Sequence, residues 1–400
     1  VKALEGAKEI CHILRQGGYR AYFAGGAVRD MLLGIVSDDV DIATDATPEE
    51  IAQIFPNHVL IGAQFGVVLV LYKEQQYEVA TFRSDLAYID GRYPAHIELK
   101  STPEEDAARR DFTINGLFFD PEKEKIYDFV GGEEDLKKGM IRTIGKPKER
   151  FSEDRLRMLR AVRFSCRFDF PIEEETREAI KEMAPQLFPA VSVERVYQEL
   201  VKMCKLGCFK KALFMLFELH LLQEIFPHVK KMRNLNGVEL LSGRVPMILC
   251  LTFLFQKEEY DLLAKLPAFF KASKKEIRWI EVFLDLQKED IRAWPLWRLV
   301  KLFSEEHHFD IVFEVFCSSL DEKERTSFVE WYEGKKEELN FFVTLRKKKK
   351  RLIEAKDLLE RGFVPGRELG KLLEKIERRA IEENLRDKET LLRMVEEDAF

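Results

Sequence analysis

The sequence predicts an α+β chain in which a small mixed α/β part is followed by a long all-helical remainder. Three observations carry this reading. Strand-like runs are confined to the stretch between Tyr19 and Phe119, and helical apolar spacing takes over from about Ser152. A composition of 46% hydrophobic and 34% charged residues over 400 positions supplies enough apolar surface for several packed units. Residues 4 to 16 have helical spacing that stops at Gly17-Gly18, and Tyr19 to Phe23 reads as a short strand entering a Gly25-Gly26 turn. Further strands are expected at Val40 to Ala43, Val67 to Leu71, Tyr77 to Phe82 and Leu117 to Phe119. Between Ala43 and Val67, Thr47-Pro48-Glu49-Glu50 opens a helix, with Thr47 as cap, Pro48 in the first turn and Glu50 placed to complete a capping box. Beyond Ser152, breaks at Pro171, Pro185 and Pro189 separate helical segments. These include Val193 to Lys205, Phe209 to Phe226 and Pro246 to Leu254, and they continue past Trp279 and Trp297 without a repeat period. A further boundary is expected near 340 to 350, ahead of the turn from Gly362 to Gly366.

No apolar run approaches the roughly 20 residues that cross a bilayer, and the amino terminus lacks the ordered basic, apolar and small-residue regions of a signal peptide. A cytoplasmic location without a membrane partner is therefore expected. Six cysteines, at 11, 166, 204, 208, 250 and 317, are sparse and irregular. Cys204 and Cys208 have helical spacing but no second ligand pair beside them, so all six read as buried or inert thiols. The formal charge of −6 argues against a polyanionic partner only as a global sum. Locally, Arg142 to Arg167 holds nine basic residues against three acidic ones, and Arg346 to Arg351 is six basic residues in a row. That second run, which contains Lys347, Lys348, Lys349 and Lys350, reads either as a nucleic-acid contact or as a solvated helix face.

Phosphoryl chemistry is the first functional reading. Gly25-Gly26 can bring backbone close to phosphates. Asp39 and Asp41, alternate residues of an expected strand, present both carboxylates on one face, where two magnesium ions would relieve their repulsion. Glu78 on a later strand can supply or orient a third carboxylate, Asp38 faces the other way, and Asp30 braces the turn. Arg29 follows the glycines, and its guanidinium can clamp triphosphate oxygens in bidentate fashion. The turn matches neither the dinucleotide-binding glycine pattern nor a P-loop, which implies a different nucleotide fold. Within Arg109-Arg110-Asp111-Phe112-Thr113-Ile114-Asn115, the residues Arg110, Asp111 and Asn115 can hold ribose hydroxyls and phosphate, or form a local salt bridge and a turn; chemistry alone leaves both open. In Glu153-Asp154-Arg155-Leu156-Arg157, continuing to Arg160 and Arg163, Asp154 and Arg157 stand three apart on an expected helix. They offer a base edge an acceptor beside a donor fork, or simply pair with each other.

Four strings run in a fixed order: Gly25 to Gly34 with Asp39 to Thr44, then Arg109 to Asn115, then Ile141 to Gly145, then Glu153 to Phe164. Their order and spacing resemble the class II tRNA nucleotidyltransferases, the bacterial and eukaryotic CCA-adding enzymes of the polymerase-β superfamily, a branch that includes bacterial poly(A) polymerases. The likeness covers residues 1–170 closely. Ser192 to Glu199 resembles the family's neck, and Lys356 to Leu359 with Gly362 to Leu373 resembles its tail. The resemblance implies a polymerase-β-type head with a mixed or antiparallel sheet over 1–140, and an elongated helical remainder. That remainder comprises a nucleotide-recognising neck over 141–205, a body over 206–345 and a tRNA-binding tail over 346–400. It implies metal carboxylates at Asp39 and Asp41, ribose sensing by Arg110, Asp111 and Asn115, and reading of the base edge by Asp154 and Arg157. The implied partners are tRNA, CTP and ATP, with monomer and dimer both open. The implied reaction is template-independent addition of CMP and AMP to the tRNA 3′ end, with release of pyrophosphate.

Within that branch, Gly62-Ala63-Gln64-Phe65-Gly66 lacks the arginine-rich segment of the poly(A) polymerases. The stretch from Arg83 through Tyr88 to Pro94 fills a loop position that enzymes restricted to adding C tend to lack. An A-competent tRNA enzyme is expected, with full CCA addition and A addition beside a separate CC-adding enzyme as alternatives. A noncatalytic tRNA-binding protein of the same fold would need a lost carboxylate or glycine turn, and neither loss is visible.

Overall fold

The computed structural model describes residues 2–37, 39–62, 66–88, 94–99, 101–227, 235–255, 260–305 and 309–397. Asp38, positions 63–65 of the Gly62 to Gly66 segment and positions 89–93 of the Arg83 to Pro94 stretch lie outside the described residues. The chain divides into two compact units, Val1–Met232 and Arg233–Phe400.

The first unit opens with α1 (Lys2–Gln16), whose Ala7, Ile10, Cys11 and Leu14 recur at helical spacing and enter the core. Seven strands make one mixed sheet. They are β1 (Ala21–Ala24), β2 (Ile42–Thr44), β3 (His58–Gly62), β4 (Val67–Tyr72), β5 (Gln75–Thr81), β8 (Leu117–Asp120) and β9 (Lys125–Asp128), in the order β3-β4-β5-β2-β1-β8-β9. Between β5 and β8 in the chain, β6 (Arg83–Tyr88) and β7 (Pro94–Leu99) form a separate antiparallel pair. Within the main sheet β2 and β5 run parallel, in the register Ile42↔Val79, and the other pairings are antiparallel. Strand periodicity sends Tyr77, Val79 and Thr81 of β5 inward and leaves Glu78 exposed. Phe23, Val28, Ile42, Ile51 and Val79 meet in the core beneath.

Four short helices punctuate the sheet: α2 (Gly26–Leu32), α3 (Pro48–Ile54), α4 (Pro103–Ala108) and α5 (Gly132–Lys138). The expected capping box ahead of α3 is present. Thr47 Oγ1 accepts from the Glu50 amide at 3.3 Å, and the Glu50 carboxylate accepts from the Thr47 amide at 2.8 Å. Thr102 and Glu105 repeat the device ahead of α4. Each box satisfies two otherwise orphaned amides, worth about 1 kcal/mol.

From residue 147 to Ile225 the regular elements of this unit are helices: α6 (Pro147–Glu153), α7 (Leu156–Phe168), α8 (Glu174–Met183), α9 (Val193–Lys205), α10 (Phe209–Glu218) and α11 (Leu221–Ile225). The single helix expected over Phe209 to Phe226 is broken between α10 and α11, where His220 adopts a left-handed φ of 62°. The second unit is helical throughout its described residues, from α12 (Leu235–Leu241) to α21 (Lys388–Glu396), and includes α16 (Leu296–Ser304), α18 (Glu322–Lys347) and α20 (Arg367–Glu382). The α+β reading, a mixed sheet followed by helices, is the architecture observed. Among the described residues no helix is long and apolar enough to cross a membrane.

Candidate active site

The first unit contains a cavity of about 470 Å³ that gathers residues from five separated stretches of sequence. Gly25, Gly26, Arg29, Asp41, Arg110, Asp111, Asn115, Asp154, Arg157, Arg160 and Arg163 all line it, and Asp39 and Glu78 do not. Its floor is fixed by backbone. The Gly25 amide donates to the Leu117 carbonyl and the Ala24 amide donates to the Asp41 carbonyl, each at 3.0 Å, so the turn is pinned between β8 and the segment entering β2. Gly25 has φ 66°, and a Cβ there would fall 2.6 Å from Arg110 Nη1. Only glycine meets both demands.

The expected strand Val40 to Ala43 begins two residues later, at Ile42, so Asp39 and Asp41 sit in the segment leading into β2 rather than on a strand. Asp39 is exposed and Asp41 half-buried. The parallel register Ile42↔Val79, carried one residue back, sets Asp41 beside Glu78. Burial, then the charges of Asp39 and Glu78, push the Asp41 carboxyl up to about 6, against the attraction of Arg110. A half-buried carboxylate crowded by two like charges is stabilised by a divalent cation. Among the described residues no group of three or more His, Cys, Asp or Glu side chains is placed to hold a metal ion. An open carboxylate set that leaves positions for water and triphosphate oxygens is the arrangement magnesium takes, and these residues fit it.

The arginines are held by partners distant in sequence. Arg29, only 3% exposed, donates through Nε to Asp30 at 2.8 Å and through Nη1 to Asn115 Oδ1 at 2.5 Å, and its guanidinium lies 4.7 Å from the centroid of Phe168. Asp30 also takes Arg167 at 2.9 Å. Arg110 and Asp111 do not pair with each other. Arg109 and Arg110 share Asp106, while Asp111 accepts from Arg160 at 2.7 Å, Asn115 at 3.0 Å and the Phe112 amide at 2.8 Å. Arg163 is paired with Glu199 at 2.6 Å.

The expectation that Asp154 and Arg157 share a helix face is corrected. Asp154 has extended backbone dihedrals and lies between α6 and α7. Its two carboxylate oxygens accept from Arg195 of α9 at 3.0 and 2.7 Å, while Arg157 pairs with Glu153 at 2.6 Å and donates to the Arg109 carbonyl at 2.9 Å. Two supporting residues were missed by sequence reasoning. Asp106 carried a signal, because it precedes Arg109 and Arg110 by three and four positions, the spacing of helical ion pairs. Arg195 carried none, since its partner is 41 residues away.

Asp111 is buried at the cavity wall; burial would raise its carboxyl, but Arg160, Asn115 and Arg157 together hold it well below the ordinary value of 3.8. A carboxyl lowered by folding stabilises the fold above its unfolded value and loses that contribution as the pH falls through its folded value. Arg160→Gln is therefore expected to move the acid-unfolding transition to higher pH, as read by circular dichroism between about pH 5 and pH 2.

In the second unit a cavity of about 1060 Å³ is lined by Lys301, Lys347, Lys349 and Lys350, with Arg346 and Arg351 both paired to Glu377. Helix α18 ends at Lys347, and Lys349 takes a left-handed φ of 54°. The basic run is thus a helix end wrapped around a hollow rather than one uniform face. Lys348 does not line it.

A mixed sheet presenting a carboxylate beside a glycine turn, faced by arginines, defines a nucleotidyltransferase head. Residues 21–142 match the family model described as the poly A polymerase head domain, and residues 169–232 match the one described as the probable RNA and SrmB-binding site of polymerase A. The chain is 35% identical over 394 residues to the CCA-adding enzyme of Ligilactobacillus salivarius, a match covering 96% of this chain and 94% of that protein. It is 50% identical over 199 residues, 49% of this chain and 48% of that protein, to the CCA-adding enzyme of Enterococcus faecalis. The crystal structure of the Bacillus stearothermophilus CCA-adding enzyme in complex with CTP superposes with a TM-score of 0.76 at 28% identity, covering 99% of this chain and 98% of that one. The chain belongs to the CCA-adding enzyme family, the tRNA nucleotidyltransferases of the polymerase-β superfamily.

Proposed function

We propose that this chain adds CMP and AMP from CTP and ATP to the 3′ end of tRNA, building or repairing CCA without a nucleic-acid template. The observation that carries the proposal is the single cavity in which Asp41 faces Arg110, Asp111, Asn115, Asp154 and Arg157. Full-length likeness to a CCA-adding enzyme supports the same reading. Asp39 and Asp41, with Glu78 orienting them, would hold two magnesium ions. When bound, the metal supplies Lewis acidity at the α-phosphate and lowers the pKa of the attacking hydroxyl. Asp41 anchors the reacting end of the cavity, the arginines offset charge on the triphosphate, and Arg110 with Asn115 orients the ribose. Asp154 and Arg157 meet the base edge, so side chains take the place of a template. Residues 1–140, 141–205, 206–345 and 346–400 serve as head, neck, body and tail. Incorporation of labelled CTP and ATP into tRNAs ending before the first C, after the first C and after the second C tests the proposal. Incorporation of A alone would assign the chain to A addition beside a separate CC-adding enzyme.

Asp154→Ala is expected to relax discrimination against UTP and GTP by roughly 1–3 kcal/mol while leaving tRNA affinity unchanged, because its carboxylate meets a base edge and not a phosphate. Uniform loss with all four nucleotides would reduce Asp154 to the partner of Arg195.

For the tail, converting Lys347, Lys349 and Lys350 to Gln is expected to weaken tRNA binding and flatten its logarithmic salt dependence by up to about one unit for each phosphate no longer neutralised. An acceptor-stem minihelix should feel the change less than full-length tRNA. Identical salt slopes for parent and variant would make the run a solvated helix end.

A further inference from the structure

The hollow of about 1060 Å³ in the second unit has walls of two kinds. Leu302, Phe309 and Tyr332 line it as buried side chains and Phe303 as a half-buried one, whereas Lys301, Lys347, Lys349 and Lys350 are exposed. Three carboxylates also line it, and each is already engaged. Glu377 bridges Arg346 and Arg351 at 3.1 and 3.0 Å, Asp310 takes Lys336 at 2.8 Å, and Glu305 takes Arg278 at 2.9 Å. Among the described residues the four lysines have no carboxylate partner, and seven lining cations against three carboxylates leave an excess of four positive charges.

The backbone is shaped to bring lysines to this space. Helix α18 ends in a Schellman turn, in which the Lys350 amide donates to the Leu345 carbonyl and the Lys349 amide to the Arg346 carbonyl, each at 2.9 Å. Glycine is the ordinary occupant of the left-handed position in that turn, yet here it is Lys349, with φ 54°. Lys301 and Lys347 stand in the last turns of α16 and α18, where a cation balances the helix dipole; Lys349 and Lys350 lie beyond the helix end and have no such role. Helix α16 packs on both α18 and α20, so cations from separate helices border one space. A nucleic-acid backbone is met by cations spread along a surface. Cations around a hollow close to the upper end of the roughly 300–1,000 Å³ of small-molecule sites suit a compact polyanion instead.

We propose that this hollow is a second nucleotide site, taking a free nucleoside polyphosphate with its base against Phe303 and its phosphates among Lys301, Lys347, Lys349 and Lys350. An aromatic ring gives any base a face to stack on, and charge-assisted hydrogen bonds from ammonium groups hold the phosphate oxygens. Adenosine alone lacks the charge, and tripolyphosphate lacks the ring. Three of these lysines are the ones assigned above to tRNA phosphates, but nucleotide binding here needs no tRNA. The site is also separate from the cavity of the first unit, with which it shares no residue.

The test irradiates the full chain with 8-azidoadenosine triphosphate over a concentration series, without tRNA, and maps the labelled peptides by mass spectrometry. Peptides carrying Phe303 or Tyr332 should be labelled to saturation, beside separate labelling of the first-unit cavity that reports on the nucleotide site proposed there. ATP should protect the second-unit peptides at concentrations at least tenfold below those needed with tripolyphosphate or adenosine. Lys349→Gly should raise the half-saturating concentration there roughly tenfold, the loss of one hydrogen bond to a charged group, while leaving the thermal midpoint level or higher because glycine relaxes the left-handed residue. Phe303→Leu, which keeps an apolar side chain and removes the ring, should raise it about fivefold or more. Labelling of the first-unit cavity in both variants, with thermal melts, checks that they fold. Labelling confined to the first unit overturns this proposal and leaves the head reading standing; labelling confined to the second unit does the reverse. Equal protection by tripolyphosphate and ATP, or half-saturation unmoved in either variant, also overturns it.

Discussion

Replacing Asp41 by Asn is expected to cut nucleotide incorporation by roughly a thousandfold or more while raising, rather than lowering, the thermal midpoint. In the proposed role of Asp41 as a metal carboxylate, loss of activity follows from the loss of a charge worth several kcal/mol at the transition state, at about 1.4 kcal/mol per decade of rate. The gain in stability follows from the carboxyl standing at about 6 in the fold, above its ordinary 3.8. The ionised form therefore costs stability at neutral pH, chiefly through burial and then through Asp39 and Glu78. An amide of the same shape removes that cost. Incorporation of labelled CMP and AMP reads the first effect, and melts by circular dichroism in a chelating buffer read the second. Asp39→Asn should match the loss of activity with a smaller change in stability, because Asp39 is exposed. Retained incorporation would remove Asp41 from the metal site, and a falling midpoint would mean that its carboxylate holds the fold.

What could be read from the sequence divides along the range of the interactions. The Thr47 and Glu50 capping box was legible because its partners lie within one turn, and the strands nearest the core were legible because Tyr77, Val79 and Thr81 alternate as a buried face demands. Strand β9 was not, since Lys125 to Asp128 has no buried face to pattern, and β3 escaped as a sheet edge. At the site, residue types were legible and their partners were not. Asp154 and Arg157 read as an i,i+3 pair, yet Asp154 is held by Arg195 and Arg157 by Glu153. Arg163 reaches Glu199 and Arg160 reaches Asp111 across 36 and 49 residues. Such pairs are created when helices from distant parts of the chain pack together, and no local periodicity encodes them.

Arg29→Ala is expected to lower the stability of the fold by about 3–5 kcal/mol, the cost of breaking a buried ion pair from one side. For a unit of this size that corresponds to a fall in midpoint of roughly 6–20 °C. From sequence Arg29 is a clamp for triphosphate oxygens, but its guanidinium is already engaged by Asp30 and Asn115 and flanked by Phe164 and Phe168. Removing it strands the Asp30 carboxylate with Arg167 as its remaining partner and frees Asn115, so the glycine turn and the segment carrying Asn115 lose their shared brace. Arg29→Lys keeps a charge but not the planar fork that spans both acceptors, and should fall between parent and Ala variant. The two roles separate in a paired measurement of thermal midpoint and CTP affinity, the latter taken at a temperature where the variant stays folded. An unchanged midpoint with weakened CTP binding would make Arg29 a ligand contact before anything else. A lowered midpoint, with the Arg29→Ala and Asp30→Ala double variant less destabilised than the sum of the singles, would show that the pair acts as one unit, by the roughly 0.5–3 kcal/mol typical of directly coupled residues.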